Sequence, residues 1–160
     1  MREIPDPGFA GDDGEAPATL REALVVQRED PEGGYLPALA ALSGARLLVP
    51  VVALLGERAE DGSEKSSDMA AVLMQHPDGR TALLAFTGTD AMAAWDPGAR
   101  PVPVPAATAA ASAVQEEADA LLVDVAGPAQ LLVEGEDLSA LASGWRLVRL
   151  DGGGWGWLTA

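Results

Sequence analysis

The run from Met69 to Val104, MAAVLMQHPDGRTALLAFTGTDAMAAWDPGARPVPV, constrains the fold more than any other part of the chain. Two strand-like stretches, Met69 to Gln75 and Thr81 to Thr87, flank His76-Pro77-Asp78-Gly79-Arg80. There proline presets the turn and glycine supplies the positive φ that closes it, so the pair predicts a β-hairpin. Thr89 or Asp90 next offers an oxygen to the free N–H groups that open a helix, predicted from Asp90 to Trp95. Asp96-Pro97-Gly98 stops it, because proline lacks an N–H and disfavours α geometry in the residue before it. Pro101, Pro103 and Pro105 alternate with Val102 and Val104, which predicts an edge strand or an irregular pass and not a central strand. Pro105 suits the first position of a following helix.

Upstream, Met1 to about Ala16 is acidic and broken by Gly and Pro, with too little apolar area to offset the entropy of ordering, so a disordered acidic tail is expected over 1–16. Apolar residues near helical spacing predict two short helices, Ala18 to Gln27 and Tyr35 to Leu42, with Pro31-Glu32-Gly33-Gly34 as the turn between them. Arg46 to Leu55 is almost continuously apolar, which predicts a central strand buried on both faces. Gly56 to Asp68 is a charged loop at the long end for a connection.

Downstream, the Ala-rich stretch Ala106 to Asp119 predicts a helix with a small-residue packing face that includes Ala110 and Val114. Leu121 to Asp124 follows as a buried strand, making with Val102 a strand, helix, strand unit that is right-handed if parallel. Gln130 to Val133, Leu138 to Ala142 and Trp145 to Leu150 then read as strand, short helix and strand. A Gly-rich joint at 151–154 leads to Trp155 to Leu158. The expected fold is therefore α+β, a mainly antiparallel mixed sheet packed with short helices in a single compact domain over 17–150, with a Gly/Trp-rich tail over 151–160.

Composition narrows the function classes. The chain has 160 residues and a net charge of −15, from 25 acidic and 10 basic side chains, which disfavours a nucleic-acid backbone and an anionic membrane as partners. The absence of cysteine removes thiolate metal sites and thiol nucleophiles. The acidic, proline-broken start lacks an apolar h-region, and the longest apolar run, Leu47 to Leu55, contains Pro50 and falls well short of the roughly twenty residues of a bilayer span. The expected location is cytoplasmic.

Taken in order, the blocks Leu47-Leu48-Val49-Pro50-Val51-Val52, Lys65-Ser66-Ser67-Asp68-Met69-Ala70, Asp78-Gly79-Arg80, Ala85-Phe86-Thr87, Trp95, Arg100-Pro101-Val102-Pro103-Val104 and Val123-Asp124-x-Ala126-Gly127-Pro128 resemble the SseB family, in its N-terminal domain. The likeness runs from about Leu36 to Leu150 and lies in the order and spacing of many blocks, none of which is a catalytic signature. It implies a compact, generally cytosolic α+β domain of uncharacterised biochemical role. The sulfurtransferase label attached to some members does not transfer, since a persulfide mechanism needs a cysteine.

No catalytic, cofactor or metal residues are assigned from the sequence. His76 is the single histidine, and no serine and acid are placed around it, so it reads as a turn residue. Lys65, Asp68, Arg80, Asp96 and Arg100 lie at strand ends and turns, where they form either solvated charge or one recognition rim. Trp155 and Trp157, in a chain with 4% aromatics, either pack back on the sheet edge or anchor an interface. The acidic clusters lack the ligand spacing of a calcium loop, and Gly152 to Gly156 lacks the lysine and helix of a phosphate loop. The leading expectation is a non-enzymatic interaction or accessory module with a protein partner or a second copy. The alternative is an enzyme or sensor that binds a small anionic metabolite through Lys65, Arg80 and Arg100, with Asp68 or Asp124 as the acid-base group.

Overall fold

The computed structural model describes residues 12–53 and 69–159, leaving aside the side chains of 52, 53, 69 and 70. The expected loop from Gly56 to Asp68 and residues 1–11 of the expected tail lie outside the described residues.

Two helices, α1 (Ala18–Glu29) and α2 (Pro31–Ser43), come first and pack on each other. Here the structure corrects the expected turn. Asp30 is the N-cap of α2, its Oδ1 accepting the Gly33 N–H at 3.1 Å, and Pro31 takes the first helical position, so Pro31 to Gly34 form a helical turn. Gly34 is buried where the helices touch: a Cβ there would stand 2.5 Å from Gln27 Cα.

Strand β1 (Arg46–Ala53) is central, as expected, in a sheet of order β2-β1-β5, where β2 is Met69–Ala71 and β5 is Arg100–Pro105. Leu48 exchanges both backbone bonds with Phe86, at 2.7 and 2.8 Å, so the even-numbered residues of β1 face away from β5. The β1–β5 register, Leu47↔Val104, Leu48↔Pro103 and Val49↔Val102, then turns the missing N–H groups of Pro101, Pro103 and Pro105 to the outer edge. An alternating Pro-Val strand fits this place because only its valines need to donate inward.

The second sheet has the order β3-β4-β6-β7, with β3 Leu73–Gln75, β4 Thr81–Ala85, β6 Ala120–Val123 and β7 Leu131–Glu134. The β3–β4 pair is the expected hairpin. The first strand-like stretch, however, divides at Val72: its first half pairs with β1 and its second with β4. The Leu48–Phe86 bridge and the Leu84 N–H to Val72 carbonyl bond, at 3.1 Å, knit the two sheets together at this fork.

The expected strand, helix, strand unit is also corrected. Strand β5 and β6 lie in different sheets, and the parallel partner of β6 is β4. Between them run α3 (Thr89–Trp95), β5 and α4 (Ala106–Gln115). Ala106, Ala109, Ala110 and Ala113 are the buried face of α4, whereas Val114 is exposed. Finally α5 (Gly135–Ala142) and a hairpin of β8 (Arg146–Arg149) with β9 (Trp155–Leu158) close the chain. The tail expected at 151–160 thus contains a paired strand.

Side-chain alternation divides the apolar residues between two clusters. Leu47, Val49, Leu83, Ala85, Leu121, Val123, Leu131 and Val133 meet the helices α1, α2, α4 and α5 in the main core. Leu48, Leu84 and Phe86 point the other way and are covered by Met92 and Trp95 of α3, with the Trp95 ring centroid 5.6 Å from that of Phe86. The fold is α+β, with mixed sheets and five helices among the described residues.

Candidate functional site

The carboxyl ends of β4 and β6 lie side by side because the two strands are parallel, and the chain leaves them at Thr87 and Asp124. Both residues are buried. The Thr87 N–H donates to Asp124 Oδ1 and the Thr87 hydroxyl to Oδ2, each at 2.8 Å. Asp124 itself adopts φ 60, a left-handed conformation that aspartate tolerates better than most side chains. Its N–H bonds to the Ala85 carbonyl and its carbonyl closes the turn to Gly127, both at 3.0 Å. The backbone of Asp124 thus closes the turn, while its carboxylate ties two strands together. Burial pushes the Asp124 carboxyl above its usual range, against the opposing pull of the two Thr87 donors.

The Thr87 carbonyl continues the network, accepting from Arg46 Nη1 at 2.8 Å. Arg46 also pairs with Asp12 at 2.7 Å and donates to the Glu15 carbonyl at 2.7 Å. The Thr89 N–H bonds to the Gly14 carbonyl at 2.7 Å. Residues 12–16, expected to be solvated, are instead strapped across the strand ends by a largely buried guanidinium, which supplies the anchoring their apolar content lacks. Beside this strap opens a cleft of about 380 Å³ lined by Arg21, Leu24, Asp90, Ala94, Asp124 and Pro128 among others. Arg21 and Asp90 pair across it at 3.4 Å.

A second concavity, about 440 Å³, lies on the same face of the four-stranded sheet as α3, over the part that α3 leaves uncovered. Its floor is Met74, Ala82, Leu122 and Leu132, with Met74 37% and Leu132 40% exposed. Asp119, Glu134 and Arg80 stand at its rim, and Arg80 is held by Asp78 at 3.0 Å and Glu134 at 3.5 Å. An apolar strip on a regular sheet with a charged border is the usual build of a docking surface.

A family model, the SseB protein N-terminal domain, matches residues 20–140, which is most of the chain. The chain belongs to the SseB family. No curated protein and no solved structure matches it.

Within this SseB domain only some of the residues singled out from sequence lie among the described residues. Lys65 and Asp68 lie outside the described residues, as do Ser66 and Ser67. Arg80 ends the hairpin turn of one sheet, whereas Arg100 opens the edge strand of the other, and no hydrogen bond or ion pair joins them among the described residues. Asp96 accepts the Gly98 N–H at 2.9 Å and serves the turn that ends α3. His76 sits exposed at the hairpin, beside the Asp78 carboxylate at 3.1 Å. Trp155 and Trp157 are half-buried and pack against the main core, with Arg149 5.4 Å from the Trp155 ring.

The SseB domain also holds features that sequence reading passed over: Arg46 and Thr87 in the strand-end network, and the open strip of Met74, Leu122 and Leu132. The strip had a visible signal. Leu83-Leu84 and Leu121-Leu122 place apolar side chains on both faces of the sheet, which demands a cover for each. Among the described residues no helix is long and apolar enough to cross a membrane, and no group of three or more His, Asp or Glu is placed to hold a metal ion.

Proposed function

We propose that this SseB domain is a non-enzymatic, cytosolic interaction module that receives a protein partner on the open face of its four-stranded sheet. The supporting observation is the apolar floor of Met74, Ala82, Leu122 and Leu132, left partly exposed while Leu83, Leu121, Leu131 and Val133 on the opposite face are buried. The occupant that fits is a segment with an apolar stripe flanked by basic side chains. The rim carries Asp119 and Glu134, its one arginine is already paired with Glu134, and the chain as a whole bears 15 net negative charges. The cytosolic part of the proposal rests on composition alone.

The test pairs affinity capture from the native lysate with hydrogen exchange on the recovered complex, using wild type and Leu132→Glu. Leu132 is 40% exposed, so a glutamate there disturbs the strip without unfolding the domain, which circular dichroism checks. The expected result is a specific partner lost in the variant, with added protection over 73–75, 82–84 and 120–134. A partner retained by the variant, or protection confined to Trp155–Leu158, refutes the assignment of this face. Sedimentation that finds a homodimer broken by Leu132→Glu replaces the foreign partner with a second copy.

A further inference from the structure

The cleft at the carboxyl ends of β4 and β6 contains a buried carboxylate that forms no ion pair among the described residues. Asp124 is 7% exposed, yet its two oxygens are met by neutral donors, the N–H and O–H of Thr87. The nearest guanidinium groups are occupied elsewhere. Arg21, the one cation among the described residues that line the cleft, favours the ionised Asp124 only from beyond ion-pair distance, stands more than half exposed and pairs with Asp90. Arg46 is taken up by Asp12 and by the carbonyls of Glu15 and Thr87. Removing a carboxylate from water costs free energy that neutral donors offset only in part, and a hydrogen-bonded positive partner is what completes such a site.

The surroundings set what that partner is. Asp90, Asp124 and Arg21 give the lining a net charge of −1, from two carboxylates and one guanidinium, so an anion is disfavoured. Leu24 and Val25 from α1 and Ala91 and Ala94 from α3 supply apolar lining to the same cleft as Asp124. A volume of about 380 Å³ is at the lower end for a small-molecule site. The two carboxylate oxygens, each engaged by one donor, retain lone pairs for an ammonium group.

We propose that this cleft binds a small organic amine, its ammonium seated against Asp124 and its compact hydrocarbon body held between α1 and α3. The assignment is independent of the sheet face, whose lining shares no residue with this cleft. Binding is charge-assisted at one end and hydrophobic at the other, so an isosteric neutral molecule retains only the second contribution.

Benzylamine and benzyl alcohol test this directly. The isotope-labelled full chain is titrated with each at neutral pH and physiological salt, where scattered attraction to a strongly acidic protein is screened. Saturable amide shifts confined to Thr87, Ala91, Asp124 and their neighbours are expected, with benzylamine binding at least about tenfold more tightly than the alcohol. Asp124→Asn is expected to erase that preference. Ala94→Phe, at an exposed helical position, is expected to fill the cleft and abolish both, and it carries the test alone should Asp124→Asn not fold. Equal affinity for the two probes, shifts scattered over the surface or centred on Leu122 and Leu132, or undiminished benzylamine binding by either folded variant overturns the proposal.

Discussion

The two faces of the four-stranded sheet are built from the same strands and differ only in parity. Leu83, Leu121, Leu131 and Val133 point to one side and are completely buried beneath four helices. Ala82, Leu122 and Leu132 point to the other, where α3 covers only the end next to Phe86. Both sides are apolar, so the contrast lies not in the side chains chosen but in what covers them. Stability therefore resides on the helical side, and apolar residues kept on the uncovered side answer to something other than the stability of this chain.

A pair of truncations tests that contrast at its strongest. Leu121→Ala removes a fully buried side chain from the main core and is expected to cost about 3 kcal/mol, since the site collapses only partly around the void. Leu132→Ala, one strand away and 40% exposed, is expected to cost less than about 1 kcal/mol while weakening partner capture. Urea unfolding of both variants measures the difference. Equal losses would mean that the second face is covered as fully as the first, and the proposed docking surface would disappear with the contrast.

The strand-end network makes the same point with polar groups. Thr87→Val keeps shape but removes the hydroxyl donor to Asp124 Oδ2, and is expected to cost about 1–2 kcal/mol. It also carries a pH signature. The raised pKa of Asp124 means that the folded chain holds this proton more tightly than the unfolded chain. The group's contribution to stability is thus most favourable below the usual carboxylate range, falls as pH rises from there to the raised folded value, and levels off above it. Losing a donor that favours the ionised form pushes the folded pKa higher still, so Thr87→Val extends the falling window upward. Unfolding free energies across the acid to neutral range compare the two profiles, with Asp124→Asn removing this contribution. Identical profiles in wild type and Thr87→Val would show that the hydroxyl does not support the carboxylate.

Much of this architecture is legible in the sequence, for identifiable reasons. The hairpin around Asp78-Gly79, the edge placement of Pro101, Pro103 and Pro105, and the buried Arg46 strand all follow from local rules on φ, donors and alternation. What escaped was set by long-range geometry. Pro31 begins a helix and not a turn because Asp30 caps it and Gly34 permits α1 to approach. The split of the Met69 to Gln75 stretch depends on two different strands competing for one backbone. Asp124 drew attention as a strand-end acid, but its partner Thr87 sits 37 residues away, a separation that no local pattern reports. Arg80 and Arg100, grouped from the sequence as one rim, adjoin different sheets, a separation that local pattern does not report.

The smallest expected effect comes from the aspartate at the opposite extreme of burial. Asp78 is exposed in the hairpin turn and its carboxyl lies below the usual range, first because its Oδ1 accepts the Arg80 backbone N–H at 2.9 Å and then because the Arg80 guanidinium meets Oδ2 at 3.0 Å. Its stabilising contribution is present above the ordinary carboxylate pKa and is lost as pH falls through the lowered folded value, the reverse of Asp124. Solvent screening keeps that contribution small. Arg80→Ala retains the backbone donor, so the Asp78 carboxyl is expected to stay depressed in a carboxyl-detected NMR titration, with no measurable change in the unfolding midpoint at neutral pH. A return of Asp78 to the ordinary range would assign the depression to the guanidinium instead. In that case the turn would be held by charge, and high salt would loosen the Asp78 end of the molecule while leaving the buried Asp124, held by the neutral donors of Thr87, where it is.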